Sequence, residues 1–169
     1  MVLITGGTGV MGQVLVRKLR QRGIGVRVFT LPNDPGASKV ESMGAEVCYG
    51  NIANQEDVEK IGQGIDTVYH LAAIIIASDE SQYDAINVEG TRNIINESLR
   101  ARVKHFVHIS SASVIYPKPT PYSLSKRSAE KIVKLSGLNW TIIRPTLVYD
   151  TSRGGLEFDM FLSFLKKFP

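Results

Sequence analysis

The chain has 169 residues, 43% hydrophobic and 21% charged, which suits one soluble domain with enough apolar material for a core. Its single cysteine excludes an intrachain disulfide and a thiolate-rich zinc site, so a reducing, cytoplasmic setting is expected. The net charge of +4 is spread along the chain. No block of like charge reads as a nucleic-acid arm, and no apolar run approaches a membrane span. The start, MVLITGG, lacks the basic flank and apolar core of a secretion signal.

Val2 to Thr5 is a short apolar run ending in glycines. Helical spacing follows, with Val10, Val14, Leu15 and Leu19 toward one side, Arg17, Arg20 and Gln21 toward the other, and a stop at Gly23. Val26 to Thr30 is a second β-branched run. The pattern then predicts a short helix at 39–43, a strand at 47–49, a polar helix at 54–61 and a strand at 67–71. Beyond these it predicts a helix at 87–99, a strand at 106–109, a helix at 123–135 and a strand at 140–143. Pro117, Pro119 and Pro121 read as a stiff loop. Six short strands separated by helices imply an α/β fold, a doubly wound parallel sheet covered on both faces. In the tail, Phe158, Phe161, Leu162 and Leu165 fall at helical spacing. That stripe either packs on the same domain or opens a small second lobe.

The first turn carries the chemistry-bearing glycines. Gly6, Gly9 and Gly12 form G-x-x-G-x-x-G between a strand and a helix, the context of a dinucleotide site. Gly6 permits the turn, Gly9 lets backbone approach a pyrophosphate, and Gly12 lets the helix sit close to the sheet. The diphosphate rests on unpaired N–H groups at the helix start. No G-K-[ST] follows, which disfavours a triphosphate loop. The second strand runs into Leu31, Pro32, Asn33 and Asp34, so the nearest acid lies beyond a proline, and Arg27 lies inside the strand. With no arginine in the loop, NAD is the expected cofactor and NADP stays open.

Ser110 and Ser111 follow the fifth strand, at the end where such sheets bind ligands. Tyr122 and Lys126 are four residues apart and share a helix face. A phenol with a pKa near 10 is a poor base at neutral pH, and a neighbouring ammonium favours its ionised form. Tyr122 is then the candidate acid/base for a substrate hydroxyl, Ser111 the group holding the substrate oxygen, and Lys126 the cation serving both Tyr122 and a cofactor ribose.

The motifs TGGTGVMG at 5–12, HLAA at 70–73 after Asp66, NVEGT at 87–91, SSAS at 110–113, YSLSK at 122–126 and IIRPTLVY at 142–149 resemble the extended short-chain dehydrogenase/reductase family, in its NAD-dependent epimerase/dehydratase branch. The resemblance covers residues 2 to about 150 and implies a Rossmann-type fold. It implies cofactor contacts from Val10 and Met11 in the glycine turn, from Leu71, Ala72 and Ala73, and from Ser110, Tyr122 and Lys126. By the same resemblance Asn51 and Ile52, where the family usually has an aspartate and an apolar residue, would stand beside the adenine, Asn87 would help organise the active site, and Arg144 and Pro145 would begin the stretch where cofactor and substrate meet. It divides the chain into a catalytic, dinucleotide-binding domain at 1–150 and, at 151–169, the start of a substrate-binding lobe otherwise absent. It also implies a homodimer through the helices at 87–99 and 123–135.

Three departures from the family pattern stand out: Asp150 follows Tyr149 in place of glycine, Ile115 takes a place more often tyrosine, and the chain ends early. Ala112 and Ser113 occupy the positions where dehydratases of the family carry an acidic pair, so elimination lacks its carboxylates. Epimerisation of a nucleotide sugar remains, as does simple oxidation or reduction of a sterol- or flavonoid-like substrate. A silent dinucleotide-binding scaffold is the reading of a different class. His70, His105 and His108 are too scattered for a zinc site, Cys48 reads as core, and Trp140 reads as a packing anchor.

Overall fold

The first apolar run, Val2–Thr5 (β1), is buried at every position, the pattern of a strand covered on both faces. In the computed structural model, which describes residues 1–148 and residues 163, 164 and 166, β1 lies near the middle of a six-stranded sheet. The other strands are Val26–Thr30 (β2), Glu46–Tyr49 (β3), Thr67–His70 (β4), His105–Ile109 (β5) and Trp140–Ile143 (β6), in the order β3-β2-β1-β4-β5-β6. Every pairing is parallel, so every connection crosses over. The crossovers contain Val10–Gln21 (α1), Ala37–Ser42 (α2), Gln55–Val58 (α3), Gly90–Arg100 (α4) and Pro121–Leu135 (α5). This is the doubly wound Rossmann arrangement that the alternation of elements implies. Its strand order reverses between β1 and β4, and a crevice opens there at the carboxyl ends of the strands.

Side chains alternate across the sheet and build two cores. Leu3, Phe29, Val68 and Phe106 face Ile94, Ile95 and Val133 on one side. Val2, Ile4, Val26 and Val28 face Val16, Leu19 and Val40 on the other. Each such side chain stabilises the fold by about 1.5–3 kcal/mol relative to exposure.

Several element boundaries differ from the pattern-based ones. The helix expected at 54–61 is the single turn Gln55–Val58, capped by the Asn54 side chain, and it stops where Glu59 turns extended at a ψ of 135°, just ahead of Lys60 at a φ of 68°. Pro121 is part of α5 rather than of the preceding loop; Thr120 and Ser123 form a capping box there, and a proline fits the first helical position. The helix expected from Asn87 begins earlier, as a π-helical segment Tyr83–Glu89 that runs into α4. Trp140, expected as a packing anchor, stands on the edge strand and is 38% exposed. The expectations on Tyr149, Asp150 and the apolar stripe of the tail lie outside the described residues.

Among the described residues, no helix is long and apolar enough to cross a membrane, and no cluster of histidine, cysteine, aspartate or glutamate is placed to hold a metal.

His70 and His108 stack on each other in the sheet interior, ring centroids 5.5 Å apart. Burial, with a smaller contribution from Lys126, pushes the His70 pKa down to about 3. Burial, then Lys126 and His70, hold His108 well below its usual value. His70 is bonded to Thr5 and Thr91, whereas neither ring nitrogen of His108 has a hydrogen-bond partner among the described residues. Below pH 6.5, the usual histidine value, the unfolded chain binds protons that the folded one refuses. Stability is therefore expected to fall with acid, by up to ~1.4 kcal/mol per pH unit for each histidine. Urea unfolding at pH 7, 6 and 5 should show this slope, and His108→Leu should lower it by about one proton. An unchanged slope in that variant would remove His108 from the account.

Candidate active site

The turn after β1 is held by steric limits at two glycines. Gly6 has a φ of 69°, and a Cβ there would lie 2.7 Å from the Ala72 backbone nitrogen. At Gly12 a Cβ would lie 2.6 Å from the Gly7 Cα, so α1 approaches β1 only because this position has no side chain. Gly9 differs. Its φ of −73° suits any residue, and its Cβ would meet only Gly6 O at 3.5 Å. What a side chain at Gly9 would fill is the space in front of the helix start. No side chain caps α1, so the first-turn N–H groups of Val10, Met11 and Gly12 are left for an anion.

That turn forms one wall of a cavity of about 390 Å³. Gly6, Gly9, Val10, Met11 and Gly12 line it together with Leu71, Ala73, Ser110, Ser111, Tyr122, Lys126 and Pro145. Segments distant in sequence thus meet at the strand-order reversal, with Tyr122 in the same cavity as the glycine turn.

Tyr122 sits in the first turn of α5, where the capping box and Pro121 fix the helix start. Lys126, one turn on, is 2% exposed, and its Nζ donates to the Ile109 carbonyl at 2.8 Å. Burial pushes its pKa down to about 8, with nearby Glu130 opposing. Ser111 caps the short 3₁₀ turn Ala112–Ile115. Its Oγ accepts from the Ser113 N–H at 3.2 Å and from the Ser113 hydroxyl at 2.9 Å. Both contacts use Ser111 as acceptor, which leaves its own O–H to donate to an oxygen in the cavity.

Of the remaining residues singled out in the sequence, Ser110 lines the cavity, and the others lie outside its lining. Asn87 is buried; its Oδ1 accepts from the Ile74 N–H at 2.8 Å, and its Nδ2 donates to the Ile74 carbonyl and to Ser125 Oγ, both at 3.0 Å. Arg144 turns away and binds Glu130 through Nε at 2.7 Å and Nη2 at 2.6 Å. Ser110 donates to the same carboxylate at 2.7 Å, so its hydroxyl is committed although the residue lines the cavity. Burial alone would raise the Glu130 pKa, but hydrogen bonds from Arg144, Ser110 and Lys134 bring it down to about 2. This buried carboxylate fastens the ends of β5 and β6 to α5.

Ala72 donates its N–H to Thr5 Oγ1 and packs against the core. Ile52 is buried against Gly90, and Asn51 is exposed with its Oδ1 on the Ala53 N–H. Asp34, although it lies beyond Pro32, folds back: its carboxylate accepts from Thr30 and Thr8 hydroxyls at 2.6 and 2.8 Å and from the Gly36 N–H at 2.8 Å. Partial burial would raise its pKa, and the bonds from Thr30, Gly36 and Thr8 outweigh this and lower it. An acid therefore does stand at the end of β2, beside the glycine turn. Arg27 points away, to Glu46 and the carbonyls of Ile61 and Gln63.

Ile75 and Ile76 also line the cavity, and sequence reading did not single them out. Their signal was the apolar run at 74–76, three isoleucines in a segment with neither strand nor helix of its own.

The family model described as NAD dependent epimerase/dehydratase family matches residues 2–162. A ceramide reductase of Caulobacter vibrioides is 31% identical over 92% of this chain and 49% of its own length. A 3-beta-hydroxysteroid dehydrogenase of Mycolicibacterium neoaurum is 38% identical over 68% of this chain and 32% of its own. Among solved structures, a UDP-glucuronic acid 4-epimerase from Bacillus cereus, in complex with NAD, superposes with a TM-score of 0.78 at 26% identity, over 90% of this chain and 58% of that one. The chain spans about half the length or less of the curated relatives it matches.

The two glycine roles separate experimentally. Gly9→Ala should fold with an unchanged melting temperature and bind NADH at least tenfold more weakly. Gly12→Ala should lose both binding and several degrees of melting temperature, because the clash is with backbone. Nicotinamide fluorescence and thermal unfolding measure the two effects. Full NADH affinity in Gly9→Ala would move the diphosphate elsewhere.

Proposed function

Because the chain belongs to the NAD dependent epimerase/dehydratase family and has its NAD-binding Rossmann fold, we propose that it oxidises a secondary alcohol, or reduces the corresponding ketone, with NAD as cofactor. The observation that carries this reading is the shared cavity, in which the glycine turn meets Ser111, Tyr122 and Lys126. The cradle in front of Gly9 and the free N–H groups of α1 fit a diphosphate. NAD, when bound, accepts or returns the hydride. The side chains do the rest. Ser111 donates a hydrogen bond to the substrate oxygen, and Tyr122 takes the hydroxyl proton in oxidation and returns it in reduction. Lys126, a buried ammonium on the same helix face, favours the ionised phenol. Asn87 holds the segment after β4 against α5.

Asp34 supports NAD over NADP. Its carboxylate at the end of β2 suits a ribose diol and repels a 2′-phosphate.

An apolar substrate is the reading favoured here. Ile75 and Ile76 are 55% and 72% exposed while lining the cavity, and they present hydrocarbon where a sugar would need hydrogen-bond partners. The ceramide reductase and hydroxysteroid dehydrogenase relatives carry names consistent with this. Nucleotide-sugar epimerisation, the activity named for the Bacillus cereus neighbour, uses the same three side chains and is the second reading. Leu99 on α4 and Leu124 and Leu135 on α5 are exposed apolar residues that support homodimer contact through those helices.

With a 3-hydroxysteroid or a long-chain secondary alcohol, NAD reduction should follow at 340 nm. Tyr122→Phe should lower turnover at least 100-fold and leave NADH affinity within twofold. Parent-rate turnover in that variant would overturn the assignment of the base. Turnover of UDP-sugars alone would select the second reading, and NADH binding without any turnover would select the silent scaffold.

The wild-type protein should prefer NAD to NADP by tenfold or more, and Asp34→Ala should shrink the preference toward unity. Fluorescence titrations with NADH and NADPH measure it. An unchanged preference would free Asp34 of that role.

A further inference from the structure

The isoleucine wall of the cavity has no regular structure to hold it. Residues 74–77 follow β4 as an irregular segment, yet Ile75 and Ile76 belong to the apolar lining on which the proposed substrate would rest. Four hydrogen bonds from one neighbouring element supply the missing rigidity. The Asn87 side chain takes both backbone groups of Ile74. The Tyr83 hydroxyl takes the next two, donating to the Ile75 carbonyl at 3.0 Å and accepting from the Ala77 N–H at 3.2 Å.

Tyr83 and Asn87 lie four residues apart in the π-helical segment that precedes α4. Such wide turns recur at functional sites. The Tyr83 ring also lies 6.2 Å from that of Tyr122, tilted at 59°, a distance at which aromatic edges and faces attract. One side chain thus touches the wall of the cavity through its hydroxyl and the acid/base residue through its ring.

We propose that Tyr83 is a specificity-determining positioning residue, which fixes the distance between the Ile75–Ile76 wall and Tyr122 and so sets how large apolar alcohols are presented to the base. This rests on the proposed function above. Tyr83 acts through the wall and through Tyr122, with no proton transferred on its own hydroxyl. Small alcohols need the wall little; rigid polycyclic ones need it throughout their length.

The test is Tyr83→Phe, which removes both hydrogen bonds and keeps the ring against Tyr122. Two measurements are made on the purified protein. Hydrogen exchange should show lost protection at the Ala77 amide, with the sheet unchanged. Steady-state kinetics should show the KM for a 3-hydroxysteroid raised about fivefold, the scale of one to two lost hydrogen bonds. The KM for cyclohexanol, the kcat for both alcohols and the affinity for NADH should stay within twofold.

A KM increase that is equal for both alcohols, or a matching fall in kcat, assigns Tyr83 a general structural role and overturns the proposal. So does an unchanged KM in an active protein, and either result leaves the proposed function standing. A wild-type protein that binds NADH and turns over neither alcohol overturns the proposed function, and the specificity role with it.

Discussion

Where α1 meets the ends of β1 and β4 there is no room for side chains. Gly6 abuts the Ala72 backbone and Gly12 abuts Gly7, and this close approach brings the uncapped start of α1 up to the edge of the sheet. Everything in the cavity is measured from that contact. It places the helix N–H groups, it aligns the end of β1 with the segment after β4, and through Thr5 it joins His70 and Ala72 to the same turn. A bulkier turn would push α1 outward and open the gap between its start and Tyr122 on α5.

The opposite side of the cavity is organised by buried polar groups. Lys126 is held on the Ile109 carbonyl, and Glu130, one turn further along α5, collects Ser110, Arg144 and Lys134. This buried carboxylate is compensated by two cations and a hydroxyl, and its main ion pair is the two-pronged contact with Arg144. Ser110 and Arg144 act in this fastening, while neighbouring Ser111 and Pro145 line the cavity.

The wall after β4 completes the site by a third means. It is made of exposed isoleucines, and an apolar surface left open to water is costly unless something covers it. The hydrogen bonds from Tyr83 and Asn87 keep that surface in place without burying it. A substrate of matching character would remove it from water, so recognition and the fate of this patch are one question.

Much of this was legible in the residue pattern. The alternation of β-branched runs with amphipathic stretches specifies the parallel sheet, because its inner runs are largely buried on both faces and its longer helices on one. The glycine spacing and the Tyr122–Lys126 interval specify a tight strand-to-helix turn and a shared helix face, since both are local geometry. The sequence by itself therefore determined the fold class and the set of candidate residues for the site. Only the tertiary structure decided which of them meet. Asp34 reaches the end of β2 despite the intervening proline because the loop folds back on Thr8 and Thr30. Arg144 is drawn off to Glu130, and Tyr83 is drawn onto the isoleucine wall. Those outcomes depend on contacts between segments far apart in the chain or on the path of a loop, and periodicity along a sequence carries no information about either.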